Sequence, residues 1–196
     1  MEEKNTHNGY EFVDLGLPSG TLWATCNVGA TSPEQAGLYF AWGETVGFSA
    51  DQVENGERSF SSSEYSSGPA ASISTDLTLE QDAAHVNLGG NWRMPTYDEC
   101  QEVIDNTTQT WTNDYNGTGV AGKVFTSKVN GNSVFFPTVG DCIDSSVSNV
   151  GSDGFYWLAS WDSDSTAWNL DFNYYSQNLK PFGIRCYGQS IRAVCE

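Results

Sequence analysis

The sequence predicts a single α+β domain, on three observations. Short runs rich in β-branched and aromatic residues recur along the chain, each closed by Gly, Pro or Asn. Two segments only carry strong helix-start patterns. The length, 196 residues with 38% hydrophobic content and abundant Trp, Tyr and Phe, suits one well-buried core better than two small ones. Residues 1–196 are therefore read as one unit, with a polar tail at 1–9 and a Ser-rich surface insertion at 49–75.

The elements follow in order. Residues 10–13 form a first strand, broken by the turn-forming stretch at 17–20. Residues 21–26 (TLWATC) are rich in β-formers, and 38–42 (LYFAW) make another short apolar run ended by Gly43. Thr78, with Gln81 three positions on, has the capping-box pattern and predicts a helix stopping at Gly89 and Gly90. Thr96 and Glu99 repeat the pattern directly after Pro95, and Cys100, Val103 and Ile104 then share one apolar stripe. Beyond Gly122 the pattern turns to β. Residues 123–129 and 132–136 flank Asn130 and Gly131 as a hairpin, because Asn and Gly tolerate the positive φ of tight turns. Further strands are expected near 155–160, 167–172, 183–187 and 190–194, with Trp157 and Trp168 in the core.

The charge balance restricts partners. A formal net charge of −17 with 8 Lys plus Arg opposes nucleic acid, whose binding rests on neutralising phosphates, and equally opposes an anionic membrane surface. No run approaches the ~18 apolar residues of a spanning helix, so no membrane insertion is expected. Partners should be neutral, cationic or bridged by a divalent metal; acidity as a solubility device explains the same numbers. Of the five cysteines, Cys26, Cys100, Cys142, Cys186 and Cys195, none stands in a C-x-x-C pair, which favours buried thiols over zinc or a disulfide framework. The first eight residues are polar with no signal-peptide core, so the protein is either cytosolic or targeted by a segment outside this sequence.

Four segments carry a family resemblance: residues 13–24 (VDLGLPSGTLWA), 39–44 (YFAWGE), 90–96 (GNWRMPT) with Glu99, and 185–194 (RCYGQSIRAV). Together they resemble a large paralogous family of exported proteins of gut Bacteroidetes and Fibrobacter. The resemblance implies a C-type-lectin-like fold of the branch that includes formylglycine-generating enzymes, whose Arg-Met/Leu-Pro-Thr-x-x-Glu segment it shares. The same branch holds the variable proteins of diversity-generating retroelements, in which a C-terminal segment is diversified to vary a binding surface. Residues 155–192 are similar to that segment. An extracellular or cell-surface location follows from the resemblance.

The residues of that segment can be read independently. Along 167–173, Trp168, Leu170 and Phe172 alternate with Asn169, Asp171 and Asn173, so burying the apolar face should turn the polar row outward. A plain solvated sheet face would give the same pattern. Trp161, Tyr174, Tyr175, Phe182 and Tyr187, with Gln177, surround the row among Ser, Asp and Asn, the composition of adaptable binding loops. The expected function is therefore ligand binding through this surface, to a protein or glycan. A structural or adhesive paralogue without a dedicated pocket is the alternative.

Asp162 and Asp164 could give oxygens to Ca²⁺, but the Glu-Pro-Asn or Gln-Pro-Asp tripeptide of sugar-binding C-type lectins is absent. They read as solvated carboxylates, as do Asp141, Asp144 and Asp153, and no cofactor is expected. Catalysis is not expected either. There is no nucleophile elbow, phosphate loop or His-Glu-x-x-His. Cys186 and Cys195 are not spaced like the reactive pair of the formylglycine-generating enzymes, which leaves an oxidase as the distant alternative.

Overall fold

The two residues at the first turn, Asn8 and Gly9, both take positive φ (47° and 84°), so the chain reverses at once. In this computed structural model, which describes residues 5–63 and 72–196, β1 (Thr6–His7) therefore pairs antiparallel with β2 (Tyr10–Asp14). The segment expected as a polar tail is partly folded: His7 Nε2 accepts the Asn91 amide at 2.9 Å, and its carbonyl accepts the Trp92 indole at 2.9 Å. The Asn-Gly turn signal was present there, but apolar content too low to mark a strand obscured it.

β2 continues into β3 (Leu22–Ala24). Ser49 then caps α1 (Ala50–Glu54), with Gln52 closing a capping box. Within the expected surface insertion, Val53 and Phe60 are completely buried and join Tyr39, Ala41 and Cys142 in a small cluster. Residues 64–71, also part of that expectation, lie outside the described residues. Isolated apolar residues in a Ser-rich stretch have no period, so composition could not show that they reach a core.

The helix expected from Thr78 is split. A 3-10 turn (Leu79–Gln81) ends where Asp82 turns extended (ψ 112°), and Asp82 caps a new helix, α2 (Ala83–Leu88). Its carboxylate accepts His85 N at 3.0 Å and Met94 N at 2.8 Å, tying the helix start to the following segment. α3 (Tyr97–Asn106) forms as expected, with the Thr96–Glu99 capping box in place and Cys100 and Val103 buried. Arg93 grips both Glu99 oxygens at 2.7 and 2.6 Å. Burial pushes the Glu99 carboxyl up, but hydrogen bonds from Arg93 and from the Thr96 backbone and hydroxyl, with the Arg93 charge, together outweigh it and hold the group below its ordinary value.

The expected hairpin, β5 (Gly122–Ser127) with β6 (Ser133–Pro137), is extended on its other side by β4 (Thr107–Thr112), a polar Thr-rich strand that hydrophobic patterning missed. A small hairpin follows, β7 (Asp141–Ile143) with β8 (Ser146–Ser148). The last large sheet joins β9 (Asp153–Trp161), β10 (Thr166–Asn173) and β11 (Gln177–Ile184), with β10 in the middle. β11 begins earlier than expected because Pro181, which speaks against a central strand, sits on an edge strand where its missing N–H does no harm. Of residues 190–194 only the end enters a strand, β12 (Val194–Cys195), which pairs with β3. The architecture is α+β and sheet-rich, with three helices and twelve strands in antiparallel sheets among the described residues.

The β9–β10–β11 sheet has apolar clusters on both sides. Tyr156, Leu158, Leu170 and Phe172 pack against Phe125, Phe136, Cys100 and Val103. Trp157, Ala159 and Ala167 pack with Trp42, Trp92 and α2. Two buried indoles lock this second side: Trp157 Nε1 donates to the Phe40 carbonyl and Trp42 Nε1 to the Leu158 carbonyl, both at 2.8 Å.

Candidate binding cavity

Along β10 the alternation of the sequence is kept on the apolar side. Leu170 and Phe172 are buried, and Trp168 is half-buried with its ring edge-on to Tyr97 at 4.5 Å. The polar side differs from expectation. Asn169 is 4% exposed, because Trp157 and Gln189 crowd the same face. Its amide nitrogen donates to Gln189 Oε1 at 3.1 Å, whereas its carbonyl oxygen has no hydrogen-bond donor. An unsatisfied buried acceptor costs about 1–3 kcal/mol, so it calls for an explanation.

The neighbouring strand is irregular at this point. Ala167 faces Gly183 and Asn169 faces Lys180, so three steps along β11 oppose two along β10. Pro181 and Phe182 occupy the bulge, and the Phe182 ring is 73% exposed. Gly183 lies so close to the Trp157 ring that a Cβ there would sit 2.3 Å from it, which fixes the backbone against the core. Beside the bulge lies a cavity of about 690 Å³ whose walls include Asn169, Asp171, Phe155, Lys180, Phe182 and Tyr187, with Asp141. This volume falls in the range of small-molecule sites.

Asp141 reaches the cavity because β7 is stitched to the segment after β11. Cys142 N donates to the Gly188 carbonyl at 2.7 Å, and Gly188 N to the Cys142 carbonyl at 2.9 Å. Expected as a solvated carboxylate, Asp141 is buried instead and accepts the Asn149 amide at 2.9 Å. Burial pushes its carboxyl up, and the negative charges of Asp153 and Asp171 push the same way. Asp171 pairs with Lys180 across the strands. The Tyr187 hydroxyl is raised too, by burial first and then by Cys186, Asp141 and Asp144.

The expected surface residues therefore fall into three places. Asn169, Asp171, Phe182 and Tyr187 meet at the cavity. At one end of the sheet, Trp161 is half-buried against the core, with its backbone N–H on Asp76 at 2.8 Å. There Asp162 accepts the Thr166 hydroxyl at 2.6 Å, and the Asp164 carbonyl accepts Arg185 at 3.1 Å, so both stabilise the turn into β10. At the other end, Tyr174 and Tyr175 are exposed and form an aromatic ridge with Trp111 of β4, at 5.6 Å between the Trp111 and Tyr174 rings. Asn173 orders that turn by accepting the Tyr175 and Ser176 amides, and Gln177 is held by Lys123 at 2.5 Å and Gln109 at 3.3 Å. One outward-facing row is thus replaced by a cavity and two flanking turns.

Sequence reasoning missed Asp141, Phe155, Lys180 and Trp111. For Asp141 a signal existed: Val139, Asp141 and Ile143 share a period of two, which places an acid in an otherwise apolar row. A second cavity, of about 560 Å³, lies between Tyr10, Glu11, Cys26, Pro33 and Leu88. Burial raises the thiols of Cys100 and Cys195 above their ordinary values and pushes that of Cys142 up to about 12, the opposite of nucleophile activation. Among the described residues no three His, Cys, Asp or Glu side chains converge as a metal-holding group. No family model, curated protein or solved structure matches the chain.

Proposed function

We propose that this chain is a non-catalytic, exported ligand-binding domain of C-type-lectin-like fold, similar to the variable proteins of diversity-generating retroelements, and that it binds through the cavity beside β10 and β11. The observation that carries the reading is the Asn169 carbonyl, buried without a donor in the wall of a cavity rimmed by Phe155, Phe182 and Tyr187. The buried carbonyl marks a wall whose hydrogen bonding the chain itself leaves incomplete, and the rings offer a bound group contact area at low entropic cost. The fold reading is supported by how the four resembling segments meet. Phe40 bridges Gln189, Arg93 bridges Val194, and Val194 pairs with Trp23, so segments far apart in sequence form one joint. Export to the cell surface rests on the same resemblance.

A nitrogen-15 chemical-shift screen against a mixed set of neutral, anionic and cationic fragments tests the site. Perturbations should cluster on Asn169, Asp171, Gly183 and Tyr187. Clustering around Cys26 and Pro33, or no binding at all, would overturn the reading.

A second reading, an adhesive module without a pocket, is favoured by the exposed Trp111–Tyr174–Tyr175 ridge. Replacing Tyr174 and Tyr175 by Ser would then abolish attachment to a ligand-bearing surface, while cavity variants would leave it intact.

A further inference from the structure

Resting on the reading of this cavity as a binding site, we propose that it takes a cationic nitrogen group, an alkylammonium or guanidinium of the kind a lysine or arginine side chain carries. The cation is seated against Asp141 and the rings of Phe182 and Tyr187, with Lys180 as the chain's own occupant of the neighbouring carboxylate.

The lining is rich in acceptors. The Asn169 carbonyl lacks a donor, and it is buried with the rest of that side chain in the cavity wall. Asp141 accepts one side-chain hydrogen bond, from Asn149, and a carboxylate has room for roughly four. The acceptor capacity that Asp141 leaves open suits a ligand that brings several N–H donors, as guanidinium and ammonium groups do. Charge selects the same class. Asp141 and Asp171 both line the cavity, Asp153 lies close to Asp141, and Lys180 is the cation of the lining, already engaged with Asp171. An anion would meet two carboxylates and a committed ammonium. The net charge of −17 draws cations toward the whole molecule. The aromatic rim adds a third preference, since cations are attracted to ring faces and neutral polar groups much less so.

The position of Lys180 separates a cation site from general stickiness. Its ammonium already pairs with one cavity carboxylate, and the side chain is partly exposed, 43% accessible, so it can leave. An incoming cation competes with it. Removing Lys180 should therefore strengthen cation binding, whereas a site built for anions or neutral groups would weaken or stay unchanged.

The test uses acetyl-arginine amide and acetyl-lysine amide as probes, with acetyl-citrulline amide and acetate as neutral and anionic controls, titrated into the nitrogen-15-labelled chain. Both cations should shift Asn169 and Gly183. D141N should weaken them about tenfold, K180M should tighten them, and F182S should weaken them by a smaller factor of about three. If D141N fails to fold, K180M and F182S, changed at exposed positions, still decide the matter. Citrulline binding as tightly as arginine, or K180M weakening the cations, would overturn the proposal. If acetate or neutral fragments bind in the cavity while the cations do not, cation selectivity falls and the binding site stands. If no probe of any charge binds there, both fall.

Discussion

The two faces of β10 come from one alternating stretch, and they have met different fates. On one face, Leu170 and Phe172 pack into a cluster closed by β5, β6 and α3, and Trp168 lies against the start of α3. On the other, Trp157 fills the near end, while Asn169 and Asp171 are left at a cavity that β7 and the bulged edge of β11 wall in. A sheet with one buried and one solvated face would have shown the polar row to bulk water. Here one face is covered by apolar atoms along its length, and the other by an apolar cluster at one end and an open cavity at the other. The lesson is that a period of two fixes which residues share a side, and says nothing about what lies opposite that side.

Substitutions on the two faces should differ accordingly. Phe172→Ala removes a fully buried ring that stacks on Tyr156, and should cost about 3–5 kcal/mol in urea unfolding with ligand preference unchanged. A loss under about 1 kcal/mol would mean this face is loosely packed. Support for the same face comes from α3. Glu99→Gln breaks the pair with Arg93 and should cost about 2–3 kcal/mol near neutrality. Because the Glu99 carboxyl is held below its unfolded value, this advantage of the natural chain is present above the ordinary carboxylate range. It should shrink as pH falls through the folded value, so the two proteins converge in acid when unfolding is followed against pH.

Asn169→Ala, across the strand, should cost about 1–2 kcal/mol, because it removes one unsatisfied acceptor but takes the donor from the buried Gln189 Oε1. Fragment binding in the cavity should weaken with it. A large destabilisation would show that Asn169 is structural and not part of a site. Tyr175→Ser marks the small end of the scale. The ring is 91% exposed and away from the cavity, so melting temperature and cavity binding should both stay within error, and only attachment through the Trp111 ridge should respond.

Much of the fold could be read in advance where local chemistry decides structure. The capping box at Thr96 and the β9 and β10 strands carry their own signals and form where expected. The hairpin at Asn130 and Gly131 forms with a longer loop, its ladder closing at Thr126 and Ser133 and Gly131 alone of the two taking positive φ. The failures share a cause. β4 is Thr and Gln apart from Trp111, β11 contains a proline, and Phe60 stands alone among serines, so none has a hydrophobic period to detect. The candidate site was half legible. Asn169, Asp171, Phe182 and Tyr187 stood out through alternation and aromatic content. Asp141, Phe155 and Lys180 did not, since their roles depend on strands meeting across the fold.

By itself, then, the amino-acid order determined an α+β chain, which side of β10 each residue takes, and a formal net charge of −17. Only the tertiary structure decided that the polar side would face an open cavity, that Asp141 would be drawn from water into its wall, and that Asn169 would be left holding an unanswered carbonyl. The physical reason is that side-chain direction is set by backbone geometry within a few residues, whereas desolvation is set by whatever distant segment packs on top.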